Sequence, residues 1–138
     1  MSLPQNLSRF DTLVDIIARL RAPDGCPWDK KQTHASLRKN LLEECYEVLE
    51  ALDEGDSGKL CTELGDLLMQ IVIHAQIASE AGEFELGDVL SSINTKLIHR
   101  HPHVFGSLKV KDAEEVAVNW EALKREERET DASILASV

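Results

Sequence analysis

The sequence predicts an all-α protein, an antiparallel helical bundle built around a two-helix acidic hairpin. Apolar residues recur at helical spacing along most of the chain, and no segment shows the alternation typical of a strand. Gly55-Asp56-Ser57-Gly58 forms a tight turn between two long helical segments. Because such a short turn places its flanking helices side by side, we expect their acidic residues to face each other.

The first half of the chain predicts three helices. The first has apolar positions from Leu7 to Leu20, with Ser8 as its N-cap, and ends where residues 22–25 interrupt the pattern. A loop over residues 26–32 leads to Thr33, the expected N-cap of a second helix that runs to about Glu54. The third helix follows the turn and includes the apolar segment of residues 60–78.

The second half predicts two more helices. One runs from about Leu86 to Arg100 and stops at His101-Pro102-His103, because proline disfavours helix in the residue before it. The last begins at Asp112, with Glu115 as its capping-box partner. We therefore expect a single helical domain over residues 1–129 and a disordered tail over residues 130–138.

Four carboxylates form two pairs in the predicted hairpin. Glu44 and Glu47 lie on its first helix, and Glu63 and Asp66 lie on its second, each pair with i,i+3 spacing. This spacing places both members of a pair on one helical face, where like charges repel. An amphipathic helix with a solvated acidic side is an alternative explanation for the first pair.

The second pair is harder to explain as a solvated surface. Residues 60–78 are otherwise almost wholly apolar, which predicts a helix buried on nearly every side. Glu63, Asp66, Gln70 and His74 fall on one stripe of it at about 100° per residue. Buried carboxylates need a counter-charge, and the four acids outnumber the basic residues nearby in sequence. A divalent cation is therefore favoured over salt bridges.

Composition narrows the classes of protein. With 138 residues the chain is long enough for one domain with a real core, and its net charge of −10 argues against binding a nucleic acid polymer. Neither a membrane-spanning run nor a secretory signal is visible, so we expect a cytoplasmic protein without a membrane partner. Cys26, Cys45 and Cys61 are widely spaced, which favours reduced thiols.

Five sequence blocks in order resemble the MazG-type nucleoside triphosphate pyrophosphohydrolases, which belong to the all-α NTP pyrophosphatase superfamily. The resemblance runs from about Leu13 to Arg128 and is carried by GCPWDKKQTHASLR, LLEECYEVLEAL, ELGDLLMQIVIHAQIA, KLIHRHPHVFG and WEALKREER. The family's EExxE and ExxD motifs correspond to residues 43–47 and 63–66.

The resemblance implies a helical bundle completed by assembly as a homodimer or homotetramer. It implies an enzyme that splits a nucleoside triphosphate into the monophosphate and pyrophosphate, a reaction suited to nucleotide-pool house-cleaning. Glu44, Glu47, Glu63 and Asp66 would then be metal ligands, and their hard oxygens suit Mg²⁺, with Mn²⁺ as an alternative. Glu43 could act as general base, with a solvated glutamate as the plainer alternative.

The resemblance also implies residues that bind substrate. Lys96 and Arg100, spaced i,i+4, would contact the triphosphate, with Lys124 in a similar role one turn after Trp120. Trp28 and Trp120 are candidates to pack on the base, and a plain core role explains either tryptophan equally well.

Three alternative functions stay open. One is a dimetal carboxylate redox bundle, although that chemistry typically uses Glu-x-x-His and no histidine here has glutamate three residues before it. The second is a non-catalytic helical oligomerisation module. The third is an enzyme like phosphoribosyl-ATP pyrophosphohydrolase, against which the CPWD and RHPHVFG blocks argue.

Overall fold

A computed structural model describes the backbone of residues 2–136 and the side chains of residues 2–129, and it contains helices and no strand over that range. The helices are α1 Phe10–Leu20, α2 Pro27–Lys31, α3 Arg38–Glu54, α4 Ser57–Glu80, α5 Leu86–His99, α6 Pro102–Phe105 and α7 Ala113–Ala136. The prediction of an all-α fold is confirmed. No helix among residues 2–136 combines the length and apolar character needed to cross a bilayer.

The chain divides into two compact units, residues 1–86 and 87–138. The expected single domain over residues 1–129 stays a prediction.

The core of the first unit forms where α1 packs on the second half of α4. Ile17 of α1 is buried with Val72 and Ile73 of α4, and Leu37, just before α3, completes this cluster. Leu13, Val14, Leu20 and Ile77 pack around it. The i,i+3 and i,i+4 spacing of the α1 residues places them on one face, which explains why the predicted periodicity locates this helix correctly.

The hairpin of α3 and α4 has the predicted short turn. Gly55 closes α3 in the left-handed region with φ 67°, a conformation that glycine adopts without a Cβ penalty. Asp56 then caps α4, because its Oδ1 accepts a hydrogen bond from the Lys59 backbone N–H at 3.1 Å. The two helices pack against each other, and Ala51 of α3 is buried.

The segment before α3 differs from the prediction. Pro27 at the first turn of a helix opens α2, where the sequence predicted a loop. Thr33 caps a separate turn instead of α3, since its Oγ1 accepts from the Ser36 N–H and the Ser36 Oγ accepts from the Thr33 N–H. The long acidic helix therefore begins at Arg38, four residues later than a cap at Thr33 would place it.

In the second unit, the capping prediction for α7 is confirmed. The Glu115 N–H donates to Asp112 Oδ1 at 2.9 Å, and Glu115 Oε2 accepts from the Lys111 N–H at 3.3 Å. Helix α7 then continues to Ala136, past the tail boundary expected at residue 129. No glycine or proline occurs after residue 113 to end it. Residues 137 and 138 of the predicted tail lie outside the described residues.

Burial of α4 is less complete than the sequence predicted. One face of its second half is in the core, but Leu64, Leu68 and Ile71 are exposed. Within the first unit, α4 packs against α3 on one side and α1 on another.

One buried arginine connects three segments of the first unit. Arg21, 7% exposed, follows α1 and donates from Nε and Nη2 to the two Glu80 carboxylate oxygens, each at 2.9 Å. Its Nη1 donates to the backbone carbonyls of Asp29 and Gln32 at 2.6 and 2.9 Å. The hydrogen bonds from Arg21 hold the pKa of Glu80 below its ordinary value. A single guanidinium thus ties α2 to the ends of α1 and α4.

Replacing this guanidinium tests its contribution to stability. We expect Arg21→Met to lower the free energy of unfolding by about 2–3 kcal/mol, because it removes four hydrogen bonds, two to the Glu80 carboxylate and two to part-buried main-chain carbonyls. The contribution is complete at neutral pH and is lost as pH falls through the lowered pKa of Glu80, so the difference from the unmodified protein should shrink in acid. Urea unfolding at several pH values measures it.

Arg9→Met is the matched control, because Arg9 pairs with Asp11 at 3.1 Å and both side chains are exposed. It should cost less than about 0.5 kcal/mol. Equal losses of unfolding free energy in the two variants would show that Arg21 contributes no more than a surface ion pair does.

Candidate functional site

The hairpin brings three of the predicted metal ligands together. One carboxylate oxygen from each of Glu44, Glu63 and Asp66 lies within 4.8 Å of the others. Glu44 comes from α3, and the other two come from one face of α4 at i,i+3 spacing. We call these three residues the acidic cluster. Its position follows from the short turn, which sets α3 and α4 side by side in antiparallel directions.

Electrostatic strain in this cluster is concentrated on Glu44. Burial is the largest cause that raises its pKa above the ordinary value, followed by the charge of Asp66, a hydrogen bond with Glu63, and the charges of Glu63 and Glu47. Glu44 Oε2 is buried and has no hydrogen-bond partner. The ionised form of this carboxylate is therefore destabilised by the protein alone.

The lysines of the hairpin are paired with other acids. Lys59 contacts Glu50 at 3.2 Å and Glu54 at 3.4 Å, and Lys39 contacts Glu43 at 3.9 Å. Within the side chains described, no ion pair reaches the acidic cluster. A cluster of carboxylate oxygens with one orphaned acceptor fits a hard divalent cation such as Mg²⁺.

Two other predicted residues of α3 lie beside the cluster and not in it. Glu47 is half-buried and acts on the pKa of Glu44, but it is not among the oxygens that converge within 4.8 Å. Glu43 is 59% exposed and pairs with Lys39. The structure therefore assembles three of the four predicted ligands and leaves the predicted base on the surface.

The residues predicted to bind substrate are exposed, half-buried or in contact with other side chains. Trp28, on α2 in the first unit, is 56% exposed. In the second unit, the Arg100 guanidinium lies 5.3 Å from the centroid of the Trp120 ring, and His101 meets that ring edge-on at 4.9 Å. Lys96 is exposed on α5, and Lys124 is half-buried on α7.

Sequence reasoning missed the partner of Arg100. Arg100 Nη2 donates to Glu127 Oε2 at 2.6 Å, and its Nε lies 3.2 and 3.3 Å from the two oxygens of the same carboxylate. Glu127 follows Trp120 by seven residues, two helical turns, which places both on the same face of α7. That spacing distinguishes Glu127 from the other charged residues near it in the sequence.

A second pairing links the segment before α3 to α4. His34 and His74 contact each other through their Nδ1 atoms at 2.8 Å, with ring centroids 5.1 Å apart and planes within 5°. The centroid separation is close to the N···N distance plus the two ring radii, so the rings lie edge to edge in one plane. Burial, then the charge of His34, lowers the pKa of His74, which favours the neutral form of His74.

The chain belongs to the family of the MazG nucleotide pyrophosphohydrolase domain, which matches residues 32–105. That range contains the acidic cluster, Lys96 and Arg100, whereas Trp28, Trp120 and Lys124 lie outside it. The membership confirms the resemblance found in the sequence blocks.

Named relatives agree with this membership. The chain is 50% identical over 119 residues to the nucleoside triphosphate pyrophosphohydrolase/pyrophosphatase MazG of Thermotoga maritima, covering 86% of this chain and 45% of that protein. It is 47% identical over 123 residues to the nucleoside triphosphate pyrophosphohydrolase of Escherichia coli K12, covering 88% and 47%. An uncharacterized Bacillus subtilis protein, YabN, is 51% identical over 130 residues, covering 94% and 27%. The chain thus spans less than half of each of these relatives.

The fold is also similar to a solved structure. A crystal structure of a mazG-related protein from Thermotoga maritima superposes with a TM-score of 0.69 at 30% identity, covering 83% of this chain and 98% of that chain. The likeness supports the helical architecture described above.

The strain at Glu44 predicts an unusual stability profile without metal. Its raised pKa means that the native state binds a proton more tightly than the unfolded chain, so stability should fall as pH rises through the interval above the unfolded value of about 4.3. We expect Glu44→Gln, in the presence of a chelator, to be as stable as the unmodified protein or more stable at neutral pH, with a flatter pH profile. Thermal scans across pH measure both effects.

Glu50→Gln is the matched control on α3, because it removes an acid that Lys59 compensates. It should not raise stability at neutral pH. A marked loss of stability in Glu44→Gln would instead show that this carboxylate is a structural partner.

Proposed function

We propose that this chain is a metal-dependent hydrolase that converts a nucleoside triphosphate to the nucleoside monophosphate and pyrophosphate. The observation that carries the proposal is the acidic cluster, which is concentrated, partly buried and without a basic partner among the described side chains. Family membership and the printed names of its relatives support the reaction class.

The metal would be held by Glu44, Glu63 and Asp66, with Glu47 as the fourth predicted ligand one turn along α3. Mg²⁺, or Mn²⁺ as the alternative, would neutralise phosphate charge and polarise the phosphoryl group for attack. Attack of water on the α-phosphorus forms a P–O bond and breaks the bond from that phosphorus to the bridging oxygen. Pyrophosphate then leaves with the electron pair of that bond.

Glu43 is our candidate to take the proton of the attacking water. It lies next to the cluster in sequence and is exposed, and its ion pair with Lys39 is long at 3.9 Å. A general base must be free to reach the water, and an exposed carboxylate with one weak partner meets that requirement.

The substrate contacts predicted in the second unit complete the proposal. Lys96, Arg100 and Lys124 would bind phosphate oxygens, and Trp120 or Trp28 would pack on the base. Three free cysteines fit the expected cytoplasmic location, where nucleotide-pool house-cleaning takes place.

We also propose that the protein assembles with copies of itself, as a homodimer or homotetramer. Each hairpin helix displays an exposed apolar stripe at i, i+4 and i+7 spacing, formed by Leu42, Tyr46 and Leu49 on α3 and by Leu64, Leu68 and Ile71 on α4. Contiguous exposed apolar surface of this kind is typical of protein interfaces. We propose that a second copy of this chain covers these stripes, which lie on the same hairpin as the acidic cluster.

Product analysis tests the reaction. With Mg²⁺ and a panel of ribo- and deoxyribonucleoside triphosphates, we expect pyrophosphate and the monophosphate as primary products. Asp66→Asn and Glu63→Gln should each lower turnover by more than about a hundredfold, because the ion loses a ligand. Coupled assays for pyrophosphate and phosphate distinguish the products.

Glu54→Gln, which removes an acid of α3 outside the cluster, should keep nearly full turnover. Orthophosphate as the primary product would contradict the proposed reaction, and equal losses in all three variants would remove the special role of the cluster.

The mass in solution tests assembly. We expect light scattering to give a multiple of the 15.4 kDa chain mass. Leu64→Glu combined with Leu68→Glu should shift the mass toward one chain, because charge in an apolar interface is costly. Val118→Glu, at an exposed position of α7, is the control. A single-chain mass for the unmodified protein at high concentration would contradict assembly.

A further inference from the structure

A groove of about 770 Å³ runs between α5 and α7 within the second unit. Its two walls have opposite chemistry. Hydroxyls and cationic groups line the α5 side, and carboxylates line the α7 side; the residues are Ser91, Ser92, Thr95, Lys96 and His99, then Glu126, Glu127 and Glu129.

The α5 wall is a continuous row of hydrogen-bond donors. Ser92, Thr95, Lys96 and His99 stand at i, i+3, i+4 and i+7 spacing, so they share one face of the helix over two turns, about 10 Å. Hydroxyl, ammonium and imidazole groups are the donors that phosphate oxygens accept from. This wall therefore suits an extended anion.

The carboxylate of Glu127 already occupies the most cationic part of this groove. Its side chain is 23% exposed and that of Arg100 is 16% exposed. Arg100 donates from Nη2 to Oε2 at 2.6 Å and from Nε to both carboxylate oxygens at 3.2 and 3.3 Å, while His99 Nε2 lies 3.9 Å from Oε1. Arg100 first, and then the charges of His99 and Lys96, hold the pKa of Glu127 below its ordinary value. An arginine fork binds carboxylate and phosphate with the same geometry.

We propose that Glu127 is an internal competitor for a polyphosphate-binding groove, and that an incoming polyphosphate displaces its carboxylate from Arg100 while Ser92 and Thr95 donate to phosphate oxygens. The inference rests on the proposed function, because that function assigns Lys96 and Arg100 to the triphosphate. It adds the hydroxyl row and a residue that sets affinity.

Competition of this kind makes the groove selective for charge. A carboxylate tethered on α7 is always present at its site, so a ligand from solution must bring more negative charge than the single charge that it replaces. A triphosphate exceeds that single charge by about two to three, whereas a monophosphate exceeds it by at most about one and gains less. The groove would therefore hold substrate and release a monophosphate product.

Inorganic tripolyphosphate without divalent metal tests the groove by itself, because the acidic cluster then repels the ligand. Calorimetry should give a Kd for Glu127→Gln that is about two- to fivefold lower than that of the unmodified protein. Lys96→Ala should weaken binding. In a Trp28→Phe background the remaining tryptophan reports on Arg100, which lies over its ring, so binding should change Trp120 fluorescence.

Two variants separate competition from a general loss of negative charge. Glu126→Gln removes an acid from the same groove wall and should give a smaller gain. Glu127→Asp keeps the charge and should retain the competition. Preference for tripolyphosphate over inorganic phosphate should narrow in Glu127→Gln, because the competing charge is gone.

Unchanged or weaker binding in Glu127→Gln would overturn the inference and make Glu127 a residue that positions Arg100. Equal gains in Glu126→Gln, or the absence of tripolyphosphate binding in any variant, would also overturn it. Tripolyphosphate binding without pyrophosphate release from any nucleoside triphosphate would refute the proposed function and leave the groove in place.

Discussion

Repulsion among the carboxylates held by the α3–α4 hairpin is the constraint on which the rest of the molecule depends. The turn at Gly55 and Asp56 forces Glu44 against two acids of α4, and part of this charge is removed from water. A protein without a use for such an arrangement would gain stability by replacing one of the acids. Retained strain of this kind is typical of sites that bind a ligand of opposite charge.

The distribution of the other charges follows the same logic. Lys59, near the hairpin turn, pairs with two acids of α3, and Arg100, directly after α5, pairs with a carboxylate of α7. Each structural ion pair is thus satisfied locally, while the acidic cluster is not. In the first unit the described cluster consists of carboxylate oxygens, whereas in the second unit an arginine is paired with a carboxylate.

Helix periodicity and turn chemistry were sufficient to predict the five long helices, the hairpin and three converging acids, because these depend on residues close in sequence; the short helices α2 and α6 were not predicted. Three other features were not predicted from the sequence. Thr33 caps a separate turn, and Leu37, which directly precedes α3, is buried in the core; the cap motif in the sequence does not distinguish these two starts. The pairing of Arg100 with Glu127 joins residues 27 positions apart; the seven-residue spacing from Trp120 places Glu127 on the right face of α7 but does not identify its partner. Exposure on α4 was also misjudged, since apolar composition does not say which neighbour covers a face.

Arg21 holds α2 through main-chain oxygens, and this affects which side chains of the segment can be substituted. Its Nη1 donates to the carbonyls of Asp29 and Gln32, so the attachment depends on the path of the backbone and not on the side chains that it carries. Exposed positions of α2, including Trp28, can therefore change identity while the segment stays anchored. The fold separates the anchoring of this helix from the chemistry that it displays, which leaves its outer surface free to diverge toward different ligands.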